Sequence, residues 1–181
     1  MVSLVRASRA KGYPADITLV ISNRPEAPGL AHATAEGVQS MAIDHKAFEN
    51  RLAFDKALDA VLRQANIELV CCAGFMRVLT PYFVEKWTGK IINIHPSLLP
   101  KYKGLNTHQR AIDAGDAQHG VSVHWVGAEL DGGDVIARSA LSISEHDSAE
   151  SLAARILPLE LALYPRVLKA VATAALTGER T

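Results

Sequence analysis

The chain has 181 residues, 49% hydrophobic and 21% charged, a composition that supports a sizeable core and excludes an intrinsically disordered protein. Its 19 Lys and Arg balance 19 Asp and Glu, so zero formal net charge argues against a whole-surface field for nucleic acid or an anionic membrane. No apolar run approaches the ~20 residues that span a bilayer, and the opening MVSLVR lacks the layout of a signal peptide; a soluble, cytoplasmic protein is expected.

Residues 1–10 (MVSLVRASRA) read as a helix with no strand before it. Residues 17–22 (ITLVIS) form a continuous apolar run closed by Asn23-Arg24-Pro25, the pattern of a buried strand. A helix is predicted over 29–36 and stopped by Gly37, and a short strand over 38–43. Leu52, Leu58, Val61 and Leu62 make a helical stripe within 48–65. Residues 68–73 (ELVCCA) are a second buried strand. Neighbouring strand residues point to opposite faces, so the adjacent Cys71 and Cys72 suit buried thiols rather than a disulfide or a shared metal. A helix over 81–87 and a strand over 90–94 follow. This alternation predicts an α/β fold with an open, mostly parallel, doubly wound sheet covered on both faces.

Beyond residue 104 the pattern changes. A helix is predicted over 107–114, and then GVSVHWV (120–126) and DVIARSALSI (134–143) flank Glu129-Leu130-Asp131-Gly132-Gly133. The glycines supply a turn, which makes this pair an antiparallel excursion. Asp147 and Glu150 read as the start of a terminal helix that Pro158 is expected to kink or interrupt. No repeat or linker divides the chain, so one domain over 1–181 is expected.

There is no serine nucleophile elbow, phosphate-binding P-loop, Gly-x-Gly-x-x-Gly or His-Glu-x-x-His, and no metal is expected. Attention falls on IINIHPSLLPKYKG (91–104). Asn93 and His95, two residues apart, share one face of a strand that ends in a proline-rich turn. At the carboxyl end of a parallel strand that face meets the crevice where open α/β sheets bind ligands. Asp131, in the glycine-flanked turn, completes a set. An amide can donate to an oxyanion, an imidazole can move a proton, and a carboxylate can orient and charge that imidazole. The trio suits transfer of a carbonyl-containing group without a covalent intermediate. Taken singly each is weak: a lone His after a strand is commonly a structural hydrogen-bonder, and Asp-Gly-Gly is commonly only a turn.

NIHPSLLPKYKG, with AGFMRVL (73–79) and GVSVHWVGAELDGGDVI (120–136), closely resembles the phosphoribosylglycinamide formyltransferases, folate-dependent enzymes of purine synthesis, over about residues 1–170. The resemblance implies the formyltransferase fold and puts the family's catalytic residues on Asn93, His95 and Asp131. The implied reaction moves the formyl group of 10-formyltetrahydrofolate to the amine of glycinamide ribonucleotide. Those two small molecules are the implied partners, with no nucleic acid, membrane or metal, in a monomer or a homodimer. Folate contacts are implied for Arg51, Met76, Arg77, Val78, Leu79, Asn93, Gly127, Ala128, Glu129, Leu130 and Asp131. The residues alone leave Arg51 equally open to being a solvated helix charge. Substrate contacts are implied for Gly74, Leu157, Pro158, Leu159 and Glu160, with Glu160 holding the glycinamide end.

Two departures stand out. The family opens with a strand and a Gly-Ser-Asn loop for the ribose phosphate, and this sequence starts just after it, so an N-terminal truncation or a misplaced start is expected. Residues 157–161 (LPLEL) are also more apolar than the family's segment, which points either to a tolerated kink or to an altered glycinamide pocket. Two alternatives stay open: formyltetrahydrofolate deformylase, which hydrolyses the formyl group with the same Asn/His/Asp core, and a truncated remnant that binds folate without catalysis. Methionyl-tRNA formyltransferases carry an extra RNA-binding domain for which the chain has no room.

Overall fold

Apolar runs and helical stripes alternate along residues 1–178, the part of the chain that the computed structural model describes. They are divided between two units, Met1–Ile91 and Ile92–Thr181. In the first, α1 (Val2–Ser8) buries Leu4 and Val5. Its Arg6 and the following Arg9 reach Glu36 at 2.7 and 3.1 Å, which ties α1 to the end of α2 (Pro28–Ala35). Gly37 stops α2 with φ at 68°, a backbone conformation that costs a side-chain-bearing residue energy. The crossover through α2 makes β1 (Leu19–Ser22) parallel to β2 (Gln39–Ala42) in a two-stranded sheet, Leu19 opposite Gln39. All four residues of β1 are half-buried, although the run reads as fully buried in the sequence. In a two-stranded sheet both strands are edges, and each is covered less than a central strand.

The long helix α3 (Arg51–Gln64) starts later than its apolar stripe suggests. The Asn50 side chain accepts the Ala53 N–H at 2.9 Å and fixes the first turn, while His45–Ala47 ahead of it forms a separate 3-10 turn. Phe54, Leu58 and Leu62 are buried along the stripe, and so are Asp55 and Asp59. Burying those carboxylates is tolerable because each is hydrogen-bonded. Asp55 accepts from the Thr80 N–H and hydroxyl, both at 2.6 Å. Asp59 accepts from Trp87 Nε1 at 2.8 Å, Arg63 Nε at 2.8 Å and the Tyr82 hydroxyl at 3.1 Å. These bonds dock α4 (Pro81–Lys86) against α3. In chain order β3 (Val70–Cys72) falls between the two helices. Cys71 and Cys72 are half-buried on it rather than buried, since this short strand is only partly covered; desolvation still pushes the Cys72 thiol up to about 12, so it is not an ionised nucleophile at neutral pH.

Among the described residues, the second unit is built on three strands and two helices. β4 (Ile91–His95) runs antiparallel to β5 (Gln118–Trp125), which runs antiparallel to β6 (Val135–Ser142). The expected pairing of 120–126 with 134–143 is present, and β5 is in addition zipped to β4, so it lies between two partners. That position explains why His119 through His124 are all buried. α5 (Thr107–Asp113) links β4 to β5. α6 (Ala149–Thr177) lies against β5 and β6 and buries Leu152, Ile156, Leu163, Val167, Leu168 and Val171.

The cap of α6 is one residue further on than the sequence reading places it. Ser148 is the N-cap, and its side chain and that of Ser151 form a reciprocal capping box. Asp147 instead accepts the Ser144 N–H and the Ser151 hydroxyl, both at 2.8 Å. The helix also runs unbroken through Pro158 and Pro165. Each proline removes one helical N–H, a cost of about 3 kcal/mol, and the apolar face that α6 buries outweighs it. Among the described residues no helix is long and apolar enough to cross a membrane.

Candidate active site

β4 delivers Asn93 and His95, and the β4–β5 register sets them opposite His124 and Ser122. The turn after β5 delivers Asp131, whose φ of 48° folds its side chain back toward the strands. That turn depends on Gly133, because a Cβ there would lie 1.9 Å from the Trp125 carbonyl oxygen.

His95 Nδ1 lies 3.4 Å from Asp131 Oδ2, with both side chains less than a tenth exposed. His95 Nε2 lies 2.9 Å from the Tyr102 carbonyl oxygen, which can only accept, so this nitrogen carries a proton. An imidazolium satisfies the carbonyl and the carboxylate together. His124 is buried beside them. Its Nδ1 donates to the Trp125 carbonyl at 2.8 Å. Its Nε2 lies 3.2 Å from the Asn93 amide nitrogen and 3.6 Å from Asp131 Oδ1. When neutral it accepts an N–H from Asn93; when protonated it donates to Asp131. Asp131 Oδ2 also accepts the Gly104 N–H at 2.9 Å. Burial alone would raise this carboxyl, but His124, the Gly104 amide and His95 outweigh it and hold Asp131 below the ordinary carboxylate range.

The acceptor and donor that face His95 and Asp131 belong to the loop after β4, and that loop is pinned from three sides. Ser122 Oγ donates to the Ser97 carbonyl at 2.7 Å and accepts the Leu99 N–H at 3.0 Å. The Arg138 guanidinium holds the Leu99 carbonyl with Nε at 3.0 Å and Nη2 at 2.7 Å. Asp116 accepts from Lys101 Nζ and the Tyr102 hydroxyl, each at 2.8 Å. Next to the loop His108 Nδ1 meets His119 Nε2 at 3.1 Å. Burial, then the neighbouring His108, pushes His119 down to about 4, so it is neutral at physiological pH.

Sequence reasoning missed His124, Ser122 and Arg138. A signal for the first two was present: in GVSVHWV, Ser122 and His124 alternate with valines, two polar residues on one face of a buried strand.

The remaining expected site residues are spread over both units. In the second, Gly127 is half-buried, Ala128 and Leu130 are exposed, and exposed Glu129 pairs with Lys103 Nζ at 2.8 Å. On α6, Leu157 and Pro158 are exposed while Leu159 and Glu160 are half-buried, and burial pushes the Glu160 carboxyl up. In the first unit Arg51 opens α3 as an exposed residue and Gly74 is exposed with φ at 70°. Met76 and Val78 are 73% and 48% exposed, Leu79 is half-buried, and the Arg77 guanidinium stacks 5.4 Å from the Phe54 ring.

The family model of formyl transferase matches residues 1–168. The phosphoribosylglycinamide formyltransferase of Haemophilus influenzae is 42% identical over 167 residues, 92% of this chain and 79% of that protein. The trifunctional purine biosynthetic protein adenosine-3 of Bos taurus is 41% identical over 173 residues, and the match spans 96% of this chain but only 17% of that protein's length. The crystal structure of glycinamide ribonucleotide transformylase 1 from Symbiobacterium toebii superposes with a TM-score of 0.92 at 35% identity, over 95% of this chain and 81% of that one.

Proposed function

The chain belongs to the formyl transferase family, and from that premise we propose that it moves the formyl group of 10-formyltetrahydrofolate to the amine of glycinamide ribonucleotide, in the cytoplasm, as a step of purine biosynthesis. The observation that carries this reading is the buried His95–Asp131 contact at 3.4 Å, on the same strand end as Asn93.

The amine nitrogen attacks the formyl carbon, a carbon–nitrogen bond forms, and the carbonyl oxygen becomes an oxyanion. Asn93 has two amide N–H groups, and the one not used on His124 is available to that oxygen. Nδ1 of His95 has the looser of that ring's two contacts and can turn from Asp131 to the reacting centre, while Nε2 stays on the Tyr102 carbonyl. Asp131, held below the ordinary carboxylate range by its surroundings, presents a charged oxygen that orients the His95 ring. As the tetrahedral species collapses, the bond from carbon to N10 of the folate breaks. The proton shed by the attacking amine passes through His95 to N10, so charge and atoms balance. Each preorganised donor to an oxyanion of this kind is worth on the order of 3 kcal/mol.

Glu160, whose carboxyl is raised by burial, is the residue proposed for the glycinamide end. For Arg51, Gly74, Met76, Arg77, Val78 and Leu79 the proposed ligand contacts rest on the family resemblance, as they do for Gly127, Ala128, Glu129 and Leu130. We take the family match over 1–168, which runs through both units, as one formyltransferase domain. The test is incubation of the chain with 10-formyltetrahydrofolate, with and without glycinamide ribonucleotide, followed by product identification. Formylated ribonucleotide that appears only with the amine substrate supports the proposal. Formate released at the same rate without it would instead make the protein a hydrolase, and turnover of neither kind would overturn the reading.

A further inference from the structure

Residues 102–106 form an arch with an uncommon backbone. Tyr102, Gly104 and Asn106 have φ of 56°, 79° and 57°, so every second residue is left-handed. Glycine and asparagine take that conformation readily, whereas a tyrosine pays for it and stays there only when its surroundings hold it. The same arch addresses the catalytic side chains. The Tyr102 carbonyl accepts from His95 Nε2, and the Gly104 N–H donates to Asp131 Oδ2. The grips of Ser122, Arg138 and Asp116 act on Ser97, Leu99, Lys101 and Tyr102, all of them before Gly104.

Arg110 holds the rest. It lies one turn into α5, and its own N–H donates to the Asn106 carbonyl at 3.0 Å. Helical side chains lean toward the start of their helix, which carries this guanidinium back over the arch. Its Nη1 donates to the Lys103 carbonyl at 2.7 Å and the Leu105 carbonyl at 3.3 Å, one on each side of Gly104. Its Cζ lies 5.2 Å from the centre of the Tyr102 ring, whose hydroxyl is fixed on Asp116 at 2.8 Å. One planar cation thus touches residues 102, 103 and 105, a combination of stacking and forked donation that a lysine ammonium cannot reproduce. An exposed arginine is commonly no more than a solubilising charge. Two backbone carbonyls and an aromatic face on the catalytic loop set this one apart. Because Arg110 is exposed, its removal opens no cavity in the core.

We propose that Arg110 is a positioning residue: by holding the Tyr102 ring and the Lys103 and Leu105 carbonyls, it sets the Tyr102 carbonyl on His95 and the Gly104 amide on Asp131. Its effect on turnover rests on the reaction proposed above, whereas its hold on the His95 ring does not.

Arg110→Met tests it, since methionine keeps much of the stem and drops the donors. The first readout is long-range proton–nitrogen NMR of the ligand-free chain, at a pH where the His95 ring is neutral. In the parent the Tyr102 carbonyl should keep the ring proton on Nε2, so the two ring nitrogens resonate far apart. In the variant the proton should divide between them and the two signals draw together. Turnover should fall roughly tenfold in kcat, with KM for both substrates within about twofold of the parent. Millimolar guanidinium should restore both readouts, and sodium chloride at the same ionic strength should restore neither. His95 signals unchanged in the variant overturn the proposal, whatever happens to kcat. Signals that change but do not recover in guanidinium overturn it too, because they make Arg110 a structural residue. A parent chain that transfers no formyl group would overturn the proposed reaction instead, and the NMR comparison would still decide the hold of Arg110 on His95.

Discussion

Asn93 and His95 could be picked out from spacing alone, because a strand's two-residue period puts them on one face wherever the strand sits. Asp131 was visible through its flanking glycines. His124 was hidden, since a histidine inside an apolar run has no distinguishing mark until the register sets it against Asn93. Two residue-level outcomes follow from the distances. Asp131→Asn keeps the size of the side chain but removes the charge that faces both imidazoles, and formyl transfer should fall on the order of 10²–10³-fold in kcat. A variant with unchanged kcat would remove Asp131 from the mechanism. His124→Gln should cost less, about tenfold to a hundredfold, through misplacement of the Asn93 amide. That loss should appear in kcat, with little change in KM; a loss confined to KM would assign His124 to ligand binding instead.

The element scale explains why loops this irregular hold a site. The loop after β4 presents the Tyr102 carbonyl and the Gly104 amide because Ser122 on β5 and Arg138 on β6 grip its backbone. Replacing Ser122 with Ala leaves a buried Leu99 N–H and a Ser97 carbonyl without this partner, an expected loss of about 2–3 kcal/mol in denaturant unfolding. A stability within experimental error of the parent would show that the grip is redundant. Gly133→Ala should displace the β5–β6 turn, since its Cβ cannot occupy a point 1.9 Å from the Trp125 oxygen. The alternating strands and the α3 stripe were legible because apolar periodicity is a local property. The start of α3 and the cap of α6 were shifted because Asn50 and Ser148 won the capping contacts. The pairing of β5 with β4 is a contact between segments distant in the chain, and no local pattern encodes it.

At the scale of the whole molecule, stability should depend on pH through His119. The folded state keeps it neutral down to about 4, whereas the unfolded chain titrates near 6.5. Below pH 6.5 the unfolded chain therefore binds a proton that the folded protein refuses, and stability falls until the pH reaches about 4. The full loss is roughly 3 kcal/mol, and His119→Gln should flatten that part of the curve in denaturant titrations at stepped pH. An identical slope in the variant would place the acid sensitivity elsewhere. The central claim is that the Asn93–His95–Asp131 cluster acts on the transition state of formyl transfer. His95→Ala tests it most directly, through kcat for transfer to glycinamide ribonucleotide measured beside the dissociation constant of a folate analogue. The account predicts that kcat falls by about 10²-fold or more while the dissociation constant stays within a few-fold of the parent. An intact kcat, with the loss confined to folate binding, would contradict it.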